Sequence, residues 1–362
     1  MATKLRAAVG TKVAGTPTGA KALTKSPKDG KDSRVPGKPG VAAPTFEEVF
    51  VRNDVVSLCL LVNRRARTMR VIDFRAGASP AKKVFVQSIA RREGMEKIVV
   101  LVERDECATW GRLGFSREGN IPGFYKRSDA FIMGCVVPAA DAVEARPRPA
   151  PRPRIADSGV FSIASFGLDQ ALATSDDDED ELPAPVASAQ AEKTMTQARK
   201  LAKDISLEVG PLKITPLAEI DAHKRIEKAT KEGRALTGFE SFGRDVSRSD
   251  VVVSQRGLEA VIGAEIQRCY GNAFLEVLTS PKDDKERGFL AAALDAACHR
   301  LQAEQSVCAF ALVPVDDVRL ATAFVAAGFR RTGLLRQHLR LRDQRVDALL
   351  FCRKLAVPGE EN

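Results

Sequence analysis

One arrangement of elements occurs twice along this chain, and that recurrence constrains the fold more than any other feature of the sequence. In its first occurrence three strand-like runs, Glu48–Phe50, Val55–Val62 and Met69–Phe74, lead to a Ser79-Pro80 break. A helical run from Ala81 to Glu93, a strand at Lys97–Val102 and a short helix ending at Leu113 follow, and Gly114-Phe115 opens two closing strands separated by Pro122-Gly123. In the second occurrence Asp250–Val253, Leu258–Ile266 and Ala273–Leu278 lead to Ser280-Pro281 and a helix to about Gln302. A strand at Val307–Val313, a helix ending at Ala327 and Gly328-Phe329 precede the last two strands, which close at Leu355. Asp73 and Glu276 each stand a few positions ahead of their Ser-Pro. Glycine ends a helix because it enters the left-handed conformation without a Cβ penalty. Ser-Pro starts one because proline has the φ of a first helical turn and no N–H to lose. Self-similarity at this scale predicts a duplicated α/β unit; chance recurrence of strand–helix–strand order is the alternative.

A chain of 362 residues can bury two cores. The expected boundaries are a basic arm at 1–45, a first unit at 46–138, a Pro/Arg and acidic linker at 139–190, and a helical insert with the second unit at 191–362. The net charge of +9 is unevenly spread: in the arm nine Lys or Arg face only Asp29 and Asp32, among many Gly, Pro, Thr and Ala that cannot build a core. Such an arm either binds nucleic acid or another anion by counterion release or acts as a solubilising tail. No aromatic residue for base stacking precedes Phe46. In the linker Arg146–Arg154 largely alternates Arg and Pro, Ser175–Glu181 is acidic, and Val160, Phe161, Ile163, Phe166 and Leu168 form an apolar island. That island, within residues 158–170, either docks a protein partner or packs back onto the chain's own sheet.

Ala191–Ile205 carries Ala and Leu at helical spacing. Thr215-Pro216 reads as an N-cap with proline at the first position of a helix that Gly233 stops. His223, His299 and His338 are lone histidines, expected at the surface. The seven cysteines are odd in number and lack metal-ligand spacing, which predicts buried free thiols in a reducing, cytoplasmic compartment and no metal. No apolar run reaches the roughly 18 residues of a membrane span. Along Leu335–Arg342 the apolar Leu335, Leu339 and Leu341 alternate with Arg336, His338, Arg340 and Arg342. This predicts one buried strand face and one positive stripe, either solvated or facing an acidic partner.

The first unit resembles the N-terminal part of the beta-lysine N-acetyltransferases in Arg70-Val71-Ile72-Asp73-Phe74-Arg75, in Glu96-Lys97-Ile98-Val99-Val100, in Glu118-Gly119-Asn120-Ile121-Pro122-Gly123-Phe124-Tyr125 and in Ser128-Asp129-Ala130-Phe131-Ile132-Met133. The second is similar to that family's C-terminal acyltransferase domain, of the GNAT superfamily, in Thr279-Ser280-Pro281, Arg287-Gly288, Ala323-Phe324, Gly328-Phe329 and Gly333-Leu334. The resemblance covers residues 46–137 and 250–355. It implies two GNAT-like units, mixed sheets flanked by helices. The later unit would hold acetyl-CoA and move acetyl to a primary amine of an amino acid or related small molecule; the earlier would help to bind substrate or form a homodimer.

The family's phosphate turn, Gln/Arg-x-x-Gly-x-Gly/Ala, falls on Lys285-Glu286-Arg287-Gly288-Phe289-Leu290, so the resemblance makes Lys285, Arg287 and Gly288 cofactor-binding residues. The free N–H groups of a helix N-terminus suit a pyrophosphate. Leu290, however, is bulky where the family is small, and Asp283, Asp284 and Glu286 match Lys282, Lys285 and Arg287 in number. Glu276, on the central strand just before the break, is the candidate general base, directly or through water; a solvent-facing carboxylate is the alternative. In the family a tyrosine four residues before the Gly-Phe supplies the acid. Phe324 holds that place here, which the resemblance makes a further cofactor-binding position, but it has no proton to give, and Ala321 replaces a supporting Asn. Tyr125 is a candidate substrate-binding residue between the units, or a packing residue. These departures set a second expectation beside the enzyme, a catalytically degenerate GNAT-like interaction or scaffold protein.

Overall fold

The computed structural model describes residues 47–52, 57–73, 79–138, 185–236, 242–243, 246–341 and 344–356. The basic arm at 1–45, the apolar island, the acidic block and the linker up to residue 184 lie outside these residues. In the first half the strands are β1 (Glu47–Arg52), β2 (Ser57–Asn63), β3 (Thr68–Asp73), β4 (Lys97–Val102), β5 (Ser116–Ile121) and β6 (Ala130–Val136), with helices α1 (Pro80–Arg92) and α2 (Cys107–Arg112). The second half has α3 (Ala189–Ala202), β7 (Lys213–Leu217), α4 (Glu219–Lys231), β8 (Ser247–Gln255), β9 (Leu258–Gln267) and β10 (Asn272–Val277). It continues through α5 (Asp284–Ala303), β11 (Cys308–Pro314), α6 (Val318–Ala326), β12 (Arg330–Leu341) and β13 (Gln344–Lys354).

All these strands join one sheet, in the order β1-β2-β3-β4-β6-β5-β12-β13-β11-β10-β9-β8-β7, where the sequence suggests two adjoining sheets. Outward from the centre the two halves trace one path: β5, β6, β4, β3, β2, β1 on one side and β12, β13, β11, β10, β9, β8 on the other. The parallel pairs β3–β4 and β10–β11 hold corresponding places. Each is bridged by a long helix, α1 or α5, because parallel neighbours need a crossover. Ser79 caps α1, its Oγ accepting from Lys82 N at 3.1 Å with Pro80 behind it. Gly114 and Gly328 end α2 and α6 at φ 85° and 81°.

The halves meet where Gly119 of β5 opposes Gly333 of β12. These are the last residues of Gly114-Phe115-Ser116-Arg117-Glu118-Gly119 and Gly328-Phe329-Arg330-Arg331-Thr332-Gly333, so each glycine faces its own counterpart. A Cβ on Gly333 would lie 2.5 Å from Gly119 Cα, and one on Gly119 would lie 2.9 Å from Gly333 Cα. Each glycine also follows a slip in register, at Arg117/Gly119 and at Arg331/Gly333. The bulged residues again correspond. The Glu118 carboxylate lies over Gly134 and pairs with buried Lys97 at 2.5 Å, while the Thr332 hydroxyl meets Cys352 Sγ at 3.1 Å.

Alternation along the strands sorts the core. Leu60, Val71 and Val100 face α1 and α2, and Leu275, Ala311 and Phe351 face α3, α5 and α6. The opposite faces of the two halves share a core through Ile132, Phe274, Phe310 and Leu350, and Asn272 Nδ2 donates to Phe124 O at 3.1 Å across it. α3 completes the second half: Ala191, Met195 and Ala198 are buried, and Thr194 Oγ1 donates to Val315 O at 2.7 Å. Its first turn and Val186, which donates to Arg117 O at 3.2 Å, occupy residues assigned by sequence to the linker.

Thr215 and Pro216 do not cap a helix. They lie in β7, Pro216 opposite Val251, and α4 begins after Ala218. β7 is the last strand of the sheet, and an edge strand tolerates a residue with no N–H to donate. No described helix is long and apolar enough to cross a membrane. The cysteines are free thiols, five of them buried and Cys269 exposed.

Candidate functional site

β10 and β11 pair from Asn272–Cys308 to Leu275–Ala311 and then part, Glu276 and Val277 continuing along β9 and Leu312 to Pro314 along β13. A cavity of about 400 Å³ occupies the opening. Residues of both sheet faces line it, Leu275 and Val277 from the helix side and Phe274 and Glu276 from the other, so the cavity passes through the sheet. Leu320 and Phe324 of α6 close it on the helix side. On the opposite side Arg70 of the first half, His338 and Arg340 of β12, and Phe242 after α4 form the wall.

Glu276 does not face solvent. Its side chain is 4% exposed and accepts from Arg248 Nη2 at 2.7 Å. Burial works against the Arg248 cation, but Glu276 and Asp250 beside it hold its pKa above the ordinary guanidinium value. The pair keeps a carboxylate at the opening.

The N-terminus of α5 is occupied by the chain itself. Asp283 Oδ1 accepts from Glu286 N at 2.8 Å, and Glu286 Oε2 accepts from Lys282 N at 2.9 Å. Arg287 turns to Asp284 at 2.9 Å, Lys285 is exposed, and Gly288 has open space where a Cβ would stand. Of the residues implied for cofactor binding, only Phe324 lines the cavity. The opening between the strands suits the slender arm of an acyl thioester, whereas these amides, already capped by carboxylates, do not fit a pyrophosphate. In the first half β3 and β4 part likewise after Val71–Val100, and Asp73, at the end of β3, pairs with Lys82 at 2.6 Å with side chains 6% and 3% exposed.

Tyr125 stands apart from the cavity lining, packed edge-on against Phe124 at 4.9 Å and Tyr270 at 5.3 Å; burial pushes its pKa up to about 12. Three residues without an expected role take part instead. Arg70 Nη1 donates to Phe242 O, its guanidinium lies 5.2 Å above the Phe242 ring, and its Nε is buried without a hydrogen-bond partner. Burial lowers its pKa, with Tyr125 and Glu265 opposing. Arg340 lines the rim, Nη1 donating to Arg65 O at 3.3 Å.

His338, expected at the surface, turns inward. Between Leu335 and Leu339 the pairing with β13 slips and Gln337 takes φ 45°, which breaks the alternation on which a regular positive stripe depends. Its Nδ1 is buried without a partner, and burial, then Lys97 and Arg345, push its pKa down to about 3. Arg345 anchors this stretch to the first half, donating to Ala66 O at 2.5 Å and to Arg67 O at 2.8 Å.

A scan of protein-family models gives no match, and comparison with curated proteins gives none. Solved structures similar to this one are GNAT N-acetyltransferases. The spermidine N-acetyltransferase of Vibrio cholerae in complex with CoA and spermine is 16% identical, covers 40% of this chain and 96% of its own, and has a TM-score of 0.33. The ribosomal-protein-S18-alanine N-acetyltransferase of Escherichia coli is 18% identical, covers 42% and 99%, and has a TM-score of 0.30. Scores this low leave the chemistry to be argued from the cavity itself.

Proposed function

We propose that the opening between β10 and β11 is an acyl-transfer site of the GNAT type, with acetyl-CoA as donor and a primary amine of an amino acid or related small molecule as acceptor. The observation that carries this reading is the parting of a parallel strand pair around a cavity lined from both faces of the sheet. Such a passage lets two reagents meet from opposite sides. Acetyl-CoA supplies the activated acetyl group when bound. Leu275, Leu320 and Phe324 give the helix side an apolar lining that excludes water. Glu276 takes the proton of the amine, directly or through water, its carboxylate held in place by Arg248. Phe324 has no proton to give, so no side chain at this position would serve as the acid for a thiolate leaving from bound acetyl-CoA. The matching paths of the two halves support a duplicated GNAT-like unit; in its first copy β3 and β4 part at the same register, and the buried Asp73–Lys82 pair stands beside that parting. Residues 1–45 and 158–170 keep their proposed roles as an anion-binding arm and a protein-docking segment of a cytoplasmic protein.

A second reading, a catalytically degenerate interaction protein, is favoured by one feature, the carboxylate-capped N-terminus of α5. Calorimetric titration with acetyl-CoA separates the two. Micromolar binding that Leu320→Trp abolishes supports the transferase; heat indistinguishable from dilution at millimolar ligand leaves the interaction protein.

A further inference from the structure

Resting on that reading of the opening, we propose that it recognises its donor by the thioester arm alone and takes acyl-pantetheine thioesters with no grip on a nucleotide. The arm has a built seat. Past Leu275 and Ala311 the strands β10 and β11 no longer pair with each other, and each keeps only its outer neighbour, β9 or β13. Interior strands bond on both sides, so among the described residues no strand answers the backbone groups that Glu276, Val277, Leu312 and Val313 turn toward the opening. A pantetheine arm carries amides along an extended chain, which is what such a gap accepts by strand addition. The cavity of about 400 Å³ is large enough for a whole small ligand, and Leu275, Leu320 and Phe324 leave its helix side apolar.

The nucleotide end has no such seat. Two helices begin beside the opening, α5 after β10 and α6 after β11, and the N-terminus of either is where a pyrophosphate would rest. Both are capped by aspartates of the chain: Asp283 Oδ1 accepts from Glu286 N at 2.8 Å, and Asp317 Oδ1 accepts from Leu320 N at 2.9 Å. Glu286 in the first turn of α5 and Asp316 just ahead of the α6 cap add a carboxylate beside each. Arg287 is turned to Asp284 at 2.9 Å and Lys282 to Glu286 at 4.0 Å. Lys285 and Arg319, outside these pairs, are exposed, where a cation is hydrated and holds an anion weakly. A pyrophosphate at either helix would have to displace a capping carboxylate or lie against it, and like charges at a helix start oppose binding. The acyl group and the arm supply the affinity, and whatever carries the far end of the arm is not selected.

Calorimetry on the full-length protein with S-acetylpantetheine, acetyl-CoA and adenosine 3′,5′-bisphosphate tests this. S-acetylpantetheine is expected to bind at least as tightly as acetyl-CoA, and the bisphosphate to give no heat. Added salt should leave acetyl-CoA binding unchanged or stronger, because it screens a repulsion and breaks no ion pair. Asp283→Ser with Glu286→Gln should tighten acetyl-CoA about threefold or more and leave S-acetylpantetheine as in the wild type. An affinity for acetyl-CoA more than about threefold above that for S-acetylpantetheine, or heat from the bisphosphate, overturns the inference and leaves the acyl-transfer reading in place. If neither thioester binds at millimolar concentration, the acyl-transfer reading falls and this inference falls with it.

Discussion

Gly333→Ala places one methyl group into the seam between the halves, and its cost can be worked from the structure. The new Cβ would lie 2.5 Å from Gly119 Cα and would also strike the Glu118 carbonyl oxygen, both backbone atoms that cannot rotate away. The φ of Gly333 is not in the left-handed region, so the penalty is steric alone. Overpacking against rigid neighbours costs about 1–3 kcal/mol, and contact with backbone sets this case at the upper end. Replacing glycine restrains the unfolded chain and returns about 0.4–1 kcal/mol. The net expectation is destabilisation of about 2 kcal/mol, read by urea unfolding as a lowered midpoint with an unchanged slope. Gly288→Ala is the internal control: nothing lies within 4 Å of its Cβ position, it is inside α5, and it should gain up to about 1 kcal/mol. Gly119→Ala combined with Gly333→Ala should cost less than the sum of the two, because strands already parted for one methyl make room for the second. Equal stability of Gly333→Ala and Gly288→Ala would refute the claim that contact between these glycines closes the sheet.

Lys97→Met, which leaves the buried Glu118 carboxylate unpaired, should cost roughly 3–5 kcal/mol in the same assay, whereas Lys97→Met with Glu118→Leu should return most of it. An equal loss in both would show that the pair matters through packing alone. His338 has a folded pKa of about 3 against 6.5 unfolded, so the unfolded state binds more protons between those values and stability falls as pH drops through that window. His338→Phe should flatten this slope, on the order of a few kcal/mol in all, in unfolding midpoints taken from pH 7 to pH 3; an unaltered slope would assign it to other groups. Asp283→Ser with Glu286→Gln keeps capping groups at α5 but removes two charges, and should tighten acetyl-CoA binding about threefold to thirtyfold at about 0.3–1 kcal/mol per charge. Unchanged calorimetric affinity would place the pyrophosphate elsewhere.

Much of the fold was legible because its signals are local. Ser79-Pro80, Gly114 and Gly328 mark helix ends by backbone chemistry that no tertiary contact overrides, and the strands of both halves lie within a few residues of their apolar runs. The misreadings arose where a local signal has two meanings. Thr215-Pro216 suits a helix start and an edge strand equally, and only the neighbouring β8 decides. The inward turn of His338 depends on a slip against β13 that alternation along β12 cannot reveal. The place of Glu276 before the break is visible in the sequence, but Arg248, its partner, is 28 residues away in the chain. Arg70 appears in the sequence as one residue of a strand motif; its part in the cavity wall exists only once the first half lies across from the second. Two glycines at matching places in the two halves were visible, yet nothing in either half alone says that they touch.

That last contact has a consequence for how the molecule assembles. A surface that meets its own image is equally well met by the same surface on another molecule. With the halves tied only by the long connection from residue 137 to residue 188, refolding at high concentration should yield reciprocal exchange, each chain lending one half to its neighbour. The swapped pair would contain every bond of the monomer, so dilution, rather than any repair of the fold, would be what restores the single chain.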